Sequence, residues 1–273
     1  MFDISRCPAI IESYRITVAF KKTGTEMKIG IEIEMVMNAG ETQESVARAL
    51  RDAGINAHAE HYNHTTRDHW KVTTDASIGS RGCEVVSPIL YDLQDLETVM
   101  DRLATLGTTS RNCGVHVHHD ATGANTDFFK RLVKIYAKSE AAIDAFMPKS
   151  RRENNNQYCR SIKGNIGLVD FLNRVDRQHS YGALVNLLGT RYRKLNLESF
   201  TRYGTVEFRQ HSSTLEFEKI QNWIELTATM LERAKSGNVP NTEPSNAFDF
   251  AMYNVPRAVK KFFRNRTAHF ANA

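Results

Sequence analysis

Three short stretches of the chain each place two chemically demanding side chains at alternate positions. The pairs are Glu32 and Glu34 in GIEIEMVM, His116 and His118 in CGVHVHHD, and Glu207 and Arg209 in GTVEFRQH. Carboxylates bind hard divalent cations, imidazole binds metals and transfers protons, and guanidinium binds anions. Each stretch is therefore typical of a strand that carries a catalytic face.

The residues between these pairs are apolar, which indicates how each stretch is positioned. Successive side chains of an extended strand point to opposite sides, so residues i and i+2 share a face about 6.5 to 7 Å apart. The opposite faces carry Ile31, Ile33, Met35, Val115, Val117, Val206 and Phe208. This alternation predicts half-buried strands whose apolar faces meet a core.

Two glutamates on one strand face repel each other to a degree that depends on their surroundings. At about 7 Å they repel by roughly 2 to 2.5 kcal/mol at an effective dielectric near 20, and by well under 1 kcal/mol in bulk water. On an exposed edge strand, Glu32 and Glu34 would therefore mean little. In a central strand within a cleft the repulsion must be offset, and a divalent cation is the natural partner of carboxylate oxygens.

The composition is that of an ordinary globular protein. The chain has 273 residues, 41% of them hydrophobic and 25% charged, so it can bury a real core and is not predicted to be disordered. No low-complexity linker interrupts it, which favours one domain over two. A net charge of +5 and a pI near 9.0 favour anionic partners, with nucleotides, acidic metabolites and nucleic acid all open.

Cysteine usage and hydropathy predict a soluble cytosolic protein. Cys7, Cys83, Cys113 and Cys159 form no CxxC pair, so reduced thiols are expected rather than a zinc ribbon or a redox motif. The N-terminal stretch MFDISRCPAIIESYRI lacks the charged start and apolar core of a secretory leader. No apolar run is long enough to span a bilayer.

Periodicity and turn residues predict alternating strands and helices. Strands are predicted over 28–37, over 69–75 after a turn near Asn63–Asp68, in CEVVSPIL, in CGVHVHH, and in YRKLNLESF and YGTVEFRQH, which a tight turn at Thr201–Tyr203 joins. Helices are predicted over 42–53, from Asp92 to Gly107, over 126–147, up to Gly237 and over about 255–266. The segment 149–193 has many basic and amide residues and weak periodicity, which predicts an irregular basic insert.

The motifs occur in an order that resembles a known family. GIEIEMVM, HWKVTTDASIG with CEVVSPIL, CGVHVHHD and YRKLNLESFTRYGTVEFRQHSSTLEFEKIQNWIEL follow one another between about Lys28 and Leu231. This order resembles the amidoligase, or carboxylate-amine ligase, family, a divergent branch of the glutamine synthetase and glutamate-cysteine ligase superfamily. The resemblance implies an α+β fold with a curved, mainly antiparallel sheet backed by helices, in one glutamine-synthetase-like catalytic domain covering residues 1–273.

The resemblance also implies a reaction. ATP and two or more magnesium ions, with Mn²⁺ as the alternative ion, would lie on the open concave face of the sheet. The γ-phosphate goes to a substrate carboxylate, and an amine displaces the acyl phosphate to give an amide. The implied partners are a small-molecule or peptide carboxylate and an amine, without a membrane, in the cytoplasm of a bacterial cell or encoded by a phage; the oligomeric state stays open.

The resemblance assigns roles to individual positions. The implied magnesium ligands are Glu32, Glu34, Glu84, His116 and Glu207. His118 is expected to face the nucleotide, and Arg209 to contact the β- or γ-phosphate. Glu84 and Arg209 are also expected to be catalytic.

Two further residues are candidates for handling substrate and phosphate. Asp75 and Ser77 share a face in TTDAS, where Asp75 is predicted to anchor the incoming amine or accept its proton, because an attacking amine must be neutral. The plain alternative is an Asp and Ser turn leading into Gly79. Arg160, in the basic insert, is predicted to contact phosphate, with a charged surface loop as its alternative.

Each assignment has a plainer competitor. The glutamate pair could be a solvated edge face, the histidines satisfied imidazoles, and Glu207 with Arg209 only a salt bridge. Four further histidines could suggest zinc, but their spacings match no familiar site: His58, His61, His64 and His69. The alternative functions are a metal-dependent phosphotransferase or phosphoesterase on the same scaffold and a non-enzymatic protein that binds nucleic acid, which is not the favoured partner.

Overall fold

The structure is a computed structural model that describes residues 28–238, 240 and 246–272. Within them the protein is α+β with mostly antiparallel strands, which confirms the predicted class. The N-terminal stretch that bears on the leader prediction, together with Cys7, lies outside the described residues.

The chain divides into two compact units. Among the described residues, the first comprises 28–113 with Thr214–Gln221, and the second comprises Gly114–Ser213 with the described part of 222–272. The prediction that residues 1–273 form one catalytic domain stays a prediction, and so does the glutamine-synthetase-like form of the fold.

The first unit is built around a small sheet. Its elements are β1 (Ile29–Met37), α1 (Gln43–Asp52), β2 (Ala57–Ala59), β3 (Trp70–Thr74), β4 (Gly82–Val86), α2 (Gln94–Leu106) and β5 (Gly107–Thr108). The strand order is β2-β3-β4-β1, and β5 pairs with the end of β1. These pairs are antiparallel except β2 with β3, which is parallel.

The direction of β2 corrects one expectation. A turn near Asn63–Asp68 would make β2 and β3 an antiparallel pair, whereas Ala57 and Ala59 align with Trp70 and Val72 in parallel. Residues 60–69 are therefore a crossover connection rather than a hairpin turn. Alternation of side chains identifies a strand but carries no information on its direction.

The apolar face of β1 lies at the centre of the core of the first unit. Ile31, Ile33 and Met35 have no exposed surface, as their alternation with the glutamates predicts. The helix α1 packs against β2 and β3. It begins at Thr42, where a capping box joins the side chains and backbone amides of Thr42 and Ser45.

The second unit combines three strands with most of the helices. Its elements are β6 (Val115–Asp120), α3 (Thr126–Ala145), a 3₁₀ turn at Lys149–Arg151, α4 (Leu168–Asp176), α5 (Tyr181–Leu188), β7 (Leu195–Asn196), α6 (Glu198–Tyr203), β8 (Thr205–Phe208), most of α7 (Phe217–Ser236), α8 (Ala247–Ala251) and α9 (Arg257–Ala271). The strand order is β6-β8-β7, and both pairs are antiparallel.

The connection between β7 and β8 is a short helix, so the expected tight turn at Thr201–Tyr203 is wrong. The Asn196 side chain accepts a hydrogen bond from the Glu198 amide, and the Ser199 hydroxyl donates to the Asn196 carbonyl. These bonds begin α6 directly after β7. Gly204, with φ of +69°, ends it in the left-handed conformation.

The basic insert 149–193 is also more regular than predicted. Its second half contains α4 and α5, whereas turns and bends prevail in 152–167. In α4 the buried residues are Phe171 and Val175, four positions apart on one face. Ser180 caps α5 by accepting a hydrogen bond from the Ala183 amide. The spacing of Phe171 and Val175 and the Ser180 cap are both local sequence features. They are hard to recognise in a segment with so many charged and amide residues.

The C-terminal basic helix, expected over about 255–266, is α9 and continues to Ala271. Neither α9 nor any other helix in the described part of the chain is long and apolar enough to cross a membrane. The side chains of Cys83, Cys113 and Cys159 are buried. Burial raises the pKa of Cys83 to about 12, which leaves this thiol unreactive at neutral pH.

A buried carboxyl group on α7 gives a testable dependence of stability on pH. Glu225 is 6% exposed and its Oε2 has no hydrogen-bond partner among the described residues. Burial raises the pKa of Glu225 from 4.5 to about 7. The folded state then holds this proton more tightly than the unfolded state does, so the free energy of unfolding falls as pH rises from about 4.5 through 7.

Glu225→Gln is expected to remove this dependence, because an amide has the same shape and does not ionise. The variant should match the wild type at low pH and exceed its free energy of unfolding above neutral pH by up to about 3 kcal/mol. Urea unfolding at pH values below 4.5 and above 7 checks this. The control Glu232→Gln removes a half-exposed carboxyl from the same helix; equal pH profiles for both variants would contradict the prediction.

Candidate functional site

The polar face of the first unit brings carboxylates from two neighbouring strands side by side. Glu34 on β1 is the register partner of Glu84 on β4. Directly opposed residues of an antiparallel pair share a face, with Cβ atoms about 4.5 to 5.5 Å apart. Glu32 lies on the same face one step along, in the row of Val86. Glu32, Glu34 and Glu84 therefore lie on one face of the sheet of this unit.

Asp75 joins these carboxylates from the turn that follows β3. Its Oδ1 accepts a hydrogen bond from the Ser77 amide at 2.8 Å, so the segment forms the Asp and Ser turn rather than a continued strand. Asp75 and Ser77 do not share a strand face, because β3 ends at Thr74. The turn nevertheless points Asp75 at the cluster: ligand oxygens of Glu34, Asp75 and Glu84 lie within 4.8 Å of one another.

The electrostatics of this group favour a bound cation. Two ionised carboxylates at 4.8 Å repel by about 3.5 kcal/mol at an effective dielectric near 20. Glu34 is 8% exposed, so water screens its charge little. All three donors are oxygens, the ligand type that Mg²⁺ and Ca²⁺ prefer. The residues therefore fit a hard divalent cation better than zinc or copper.

Lys71 lies on the same polar face and was missed by sequence reasoning. It aligns with Val86, in the row of Glu32. Burial lowers its pKa, and the charges of Glu60, Glu84 and Glu32 oppose that shift. Its ammonium group donates to the Asn63 carbonyl at 2.9 Å, to Asn63 Oδ1 at 3.2 Å and to the Thr65 carbonyl at 3.2 Å. Lys71 thus ties the crossover connection to the sheet.

In the second unit, several polar groups converge on the carboxylate of Glu207. Glu207 on β8 is the register partner of His118 on β6 and of Asn196 on β7. Its Oε2 accepts a hydrogen bond from the Asn196 amide at 2.6 Å. Its Oε1 lies 3.6 Å from His116 Nδ1 and 3.9 Å from His118 Nε2, and it also accepts from Arg209.

These groups are mostly shielded from water. The side chains of His116 and Glu207 are each 5% exposed, and those of His118 and Arg209 are each 12% exposed. His118 Nδ1 also lies 3.0 Å from the Thr205 hydroxyl, which fixes the ring from the far side. The arrangement combines imidazole nitrogens with one carboxylate, so it could bind a metal ion, and Arg209 could bind phosphate.

His119 differs from His116 and His118 because its side chain lies on the other face of β6. It is buried on the apolar face, and its Nε2 lies 2.8 Å from the Thr227 hydroxyl. That hydroxyl donates to the Trp223 carbonyl, so His119 Nε2 is the donor. Burial lowers the pKa of His119 to about 3. His119 is therefore a buried core residue and not a member of the group around Glu207.

Arg209 is held from several directions, in contrast to Arg160. Arg209 Nε donates to the Tyr158 carbonyl at 3.4 Å, and its amide donates to the Lys194 carbonyl. The backbone of Arg160 bridges to Arg193 at the edge of β7. The Arg160 side chain is exposed and has no ion pair among the described residues, so the structure does not bring it into the group around Glu207.

Asn196 on β7 and Lys194, which immediately precedes β7, were also missed by sequence reasoning. Both alternate with Leu195 in YRKLNLESF, the same signal that identified Glu207 with Arg209. Of the four histidines near residue 60, His58, His61 and His64 are exposed and His69 is partly buried. His69 contacts Glu60 at 2.8 Å and Asp68 at 3.0 Å, and no described group of three candidate metal ligands includes it.

A comparison with protein families gives a match over most of the chain. Residues 25–231 match the family described as "Putative amidoligase enzyme". The matched range contains every residue of the carboxylate cluster and of the group around Glu207. No curated protein matches the chain. The chain belongs to this amidoligase family and is an enzyme of the ligase type.

Proposed function

We propose that the protein is an ATP- and magnesium-dependent carboxylate-amine ligase with a glutamine-synthetase-like catalytic fold, acting in the cytoplasm of a bacterial cell. It forms an amide or peptide-like bond. The observation that carries the proposal is the all-oxygen cluster of Glu34, Asp75 and Glu84, whose donors suit the cation that phosphoryl transfer requires. Family membership supports the ligase class.

Both units supply residues that suit metal ions. In the first unit, Glu34 and Glu84 hold a magnesium ion together with Asp75, and Glu32 extends the same polar face. In the second unit, His116 and Glu207 are the proposed metal ligands. The nearest imidazole nitrogen and carboxylate oxygen of that pair are 3.6 Å apart, close enough to share one ion.

The remaining residues are proposed to act on ATP and the amine. ATP supplies the phosphoryl group that activates the carboxylate as an acyl phosphate. Arg209 neutralises phosphate charge, His118 contacts the nucleotide, and the exposed Arg160 offers a further phosphate contact. Asp75, whose Oδ1 is fixed by the Ser77 amide, accepts the proton that the amine loses as the C–N bond forms and phosphate departs.

A substrate screen tests the reaction directly. Amino acids, polyamines and small acids are supplied in pairs with Mg-ATP, ADP release is measured, and products are identified by mass spectrometry. A ligase forms ADP rapidly only when both a carboxylate and an amine are present, and it yields a product joined by loss of water. Phosphate release without a joined product would instead identify a phosphotransferase or phosphoesterase.

Mg-ATP is also expected to stabilise the folded protein. At about 100 times its dissociation constant, a ligand that binds only the folded state adds about 2.7 kcal/mol to the free energy of unfolding. The double variant Glu34→Gln/Glu84→Gln should lose this increase. Glu97→Gln, which removes an exposed carboxylate of α2 in the same unit, should keep it. An unchanged response in the double variant would rule out the cluster as the magnesium site.

A further inference from the structure

A buried hydroxyl group lies in the row of the carboxylate cluster. Thr73 on β3 is the register partner of Glu84, which in turn is the partner of Glu34. The three side chains therefore follow one another across three strands on one face. Thr73 is 1% exposed, and its Oγ1 has no hydrogen-bond partner among the described residues.

A buried hydroxyl without a hydrogen-bond partner lowers the stability of the folded state, and a valine at this position would not carry that cost. A valine has the same shape as threonine, suits a strand equally well and leaves no polar atom unsatisfied. Thr73 therefore fits its surroundings best when a ligand contacts Oγ1. The hydroxyl oxygen has two lone pairs, and its neighbours in the row are carboxylates that attract a cation.

The nearby ammonium group of Lys71 is committed elsewhere. It has three protons, and the structure shows three acceptors for them, all in the crossover connection. Lys71 thus has no proton left for Thr73 or for the carboxylates of the cluster. A divalent ion at the cluster would give the Thr73 hydroxyl a partner that Lys71 does not supply.

We propose that Thr73 belongs to the cation site as a positioning residue. Its hydroxyl oxygen contacts the divalent ion held by Glu34, Asp75 and Glu84, or a water bound to that ion, since Mg²⁺ keeps several waters in protein sites. The inference rests on the proposed use of a divalent cation at this cluster. It adds a neutral donor, which orients the ion without adding to the repulsion among the carboxylates.

Metal binding without ATP tests the role of Thr73. Mn²⁺ takes the same oxygen ligands as Mg²⁺, and its free concentration can be measured by electron paramagnetic resonance during titration of the purified protein. Thr73→Val is expected to raise the Mn²⁺ dissociation constant about tenfold, in the range found when groups that orient a metal are removed. Thr73→Ser, which restores the hydroxyl, should return it to near the wild-type value.

Thermal unfolding in a chelating buffer supplies a second measurement, in which Thr73→Val is not expected to weaken the protein although it weakens Mn²⁺ binding. Without metal, Thr73→Val should unfold at the same or a higher temperature than the wild type, because it removes an unpaired hydroxyl and keeps the shape. Thr74→Val is the matched control, since Thr74 is the exposed neighbour on the other face of β3. It should change neither Mn²⁺ binding nor stability.

Three outcomes overturn the proposal in distinguishable ways. If Thr73→Val binds Mn²⁺ as tightly as the wild type while Glu84→Gln does not, Thr73 is outside the site and the proposed ligase function stands. If Thr73→Val unfolds at a clearly lower temperature in chelator, the hydroxyl has a structural partner instead. If the wild type binds no Mn²⁺ and Glu84→Gln changes nothing, the cation site and this inference fail together.

Discussion

Glu207→Gln is expected to lower the rate of ADP formation about 10² to 10³-fold, the range seen when one preorganised charge is removed from a catalytic centre. Glutamine keeps the shape of the side chain and its place opposite His118 and Asn196. It removes the negative charge that faces His116 and Arg209. Initial rates with saturating Mg-ATP and an active substrate pair measure the effect.

The control for this prediction is Glu232→Gln, which removes a carboxylate of the same unit that lies 3.2 Å from Lys235. It should retain full activity. Thermal unfolding of both variants separates a lost site from a lost fold. A folded Glu207→Gln protein with an undiminished rate would show that Glu207 and Arg209 form no more than a structural ion pair.

Lys194→Met is expected to reduce the free energy of unfolding by about 3 to 5 kcal/mol, because it removes the buried cation that contacts Glu140 and Asp144 and leaves Lys163 as the remaining cation beside Glu140. The Lys194 side chain is 0% exposed and lies 3.0 Å from Glu140 and 2.5 Å from Asp144. Burial alone would lower the pKa of Lys194, but the charges of Glu140 and Asp144 outweigh it and raise the pKa. Urea unfolding at neutral pH measures the loss.

Lys134→Met is the matched control, because the Lys134 and Asp176 side chains are 35% and 54% exposed. An exposed pair contributes about 1 kcal/mol or less. Lys163 also contacts Glu140, at 3.1 Å, so the quadruple variant Lys194→Met/Lys163→Met/Glu140→Gln/Asp144→Asn removes every charge of the contact and should regain much of the stability. Equal losses for Lys194→Met and Lys134→Met would contradict the role of burial.

The strands that carry the site could be predicted because their signal is local. Alternation in GIEIEMVM, CGVHVHHD and GTVEFRQH indicates which side chains share a face, and the structure confirms it for Glu32 with Glu34. The motif order likewise indicated the family. The order of the strands within each unit depends on pairing between segments that are far apart in sequence. Alternation of side chains does not identify which segments pair.

The remaining residues escaped prediction because their roles depend on neighbouring strands. Lys71 and Thr73 look like ordinary strand residues until their register with Val86 and Glu84 is known. Asn196 gains its role only when β7 pairs with β8. For Asp75, the predicted strand face shared with Ser77 is wrong, because the segment is a turn. The carboxylate of Asp75 nevertheless lies close to those of Glu34 and Glu84.

β4 pairs with both β1 and β3. This pairing also determines where the first unit can tolerate an inserted or deleted residue. Side chains alternate residue by residue, so deleting one residue inside β4 would turn Glu84 toward the core and place Val85 on the polar face. An extra residue beside Ser80, in the exposed turn before β4, leaves every pair intact. Insertions and deletions should therefore accumulate in the turns of this unit, while its strands accept substitutions only.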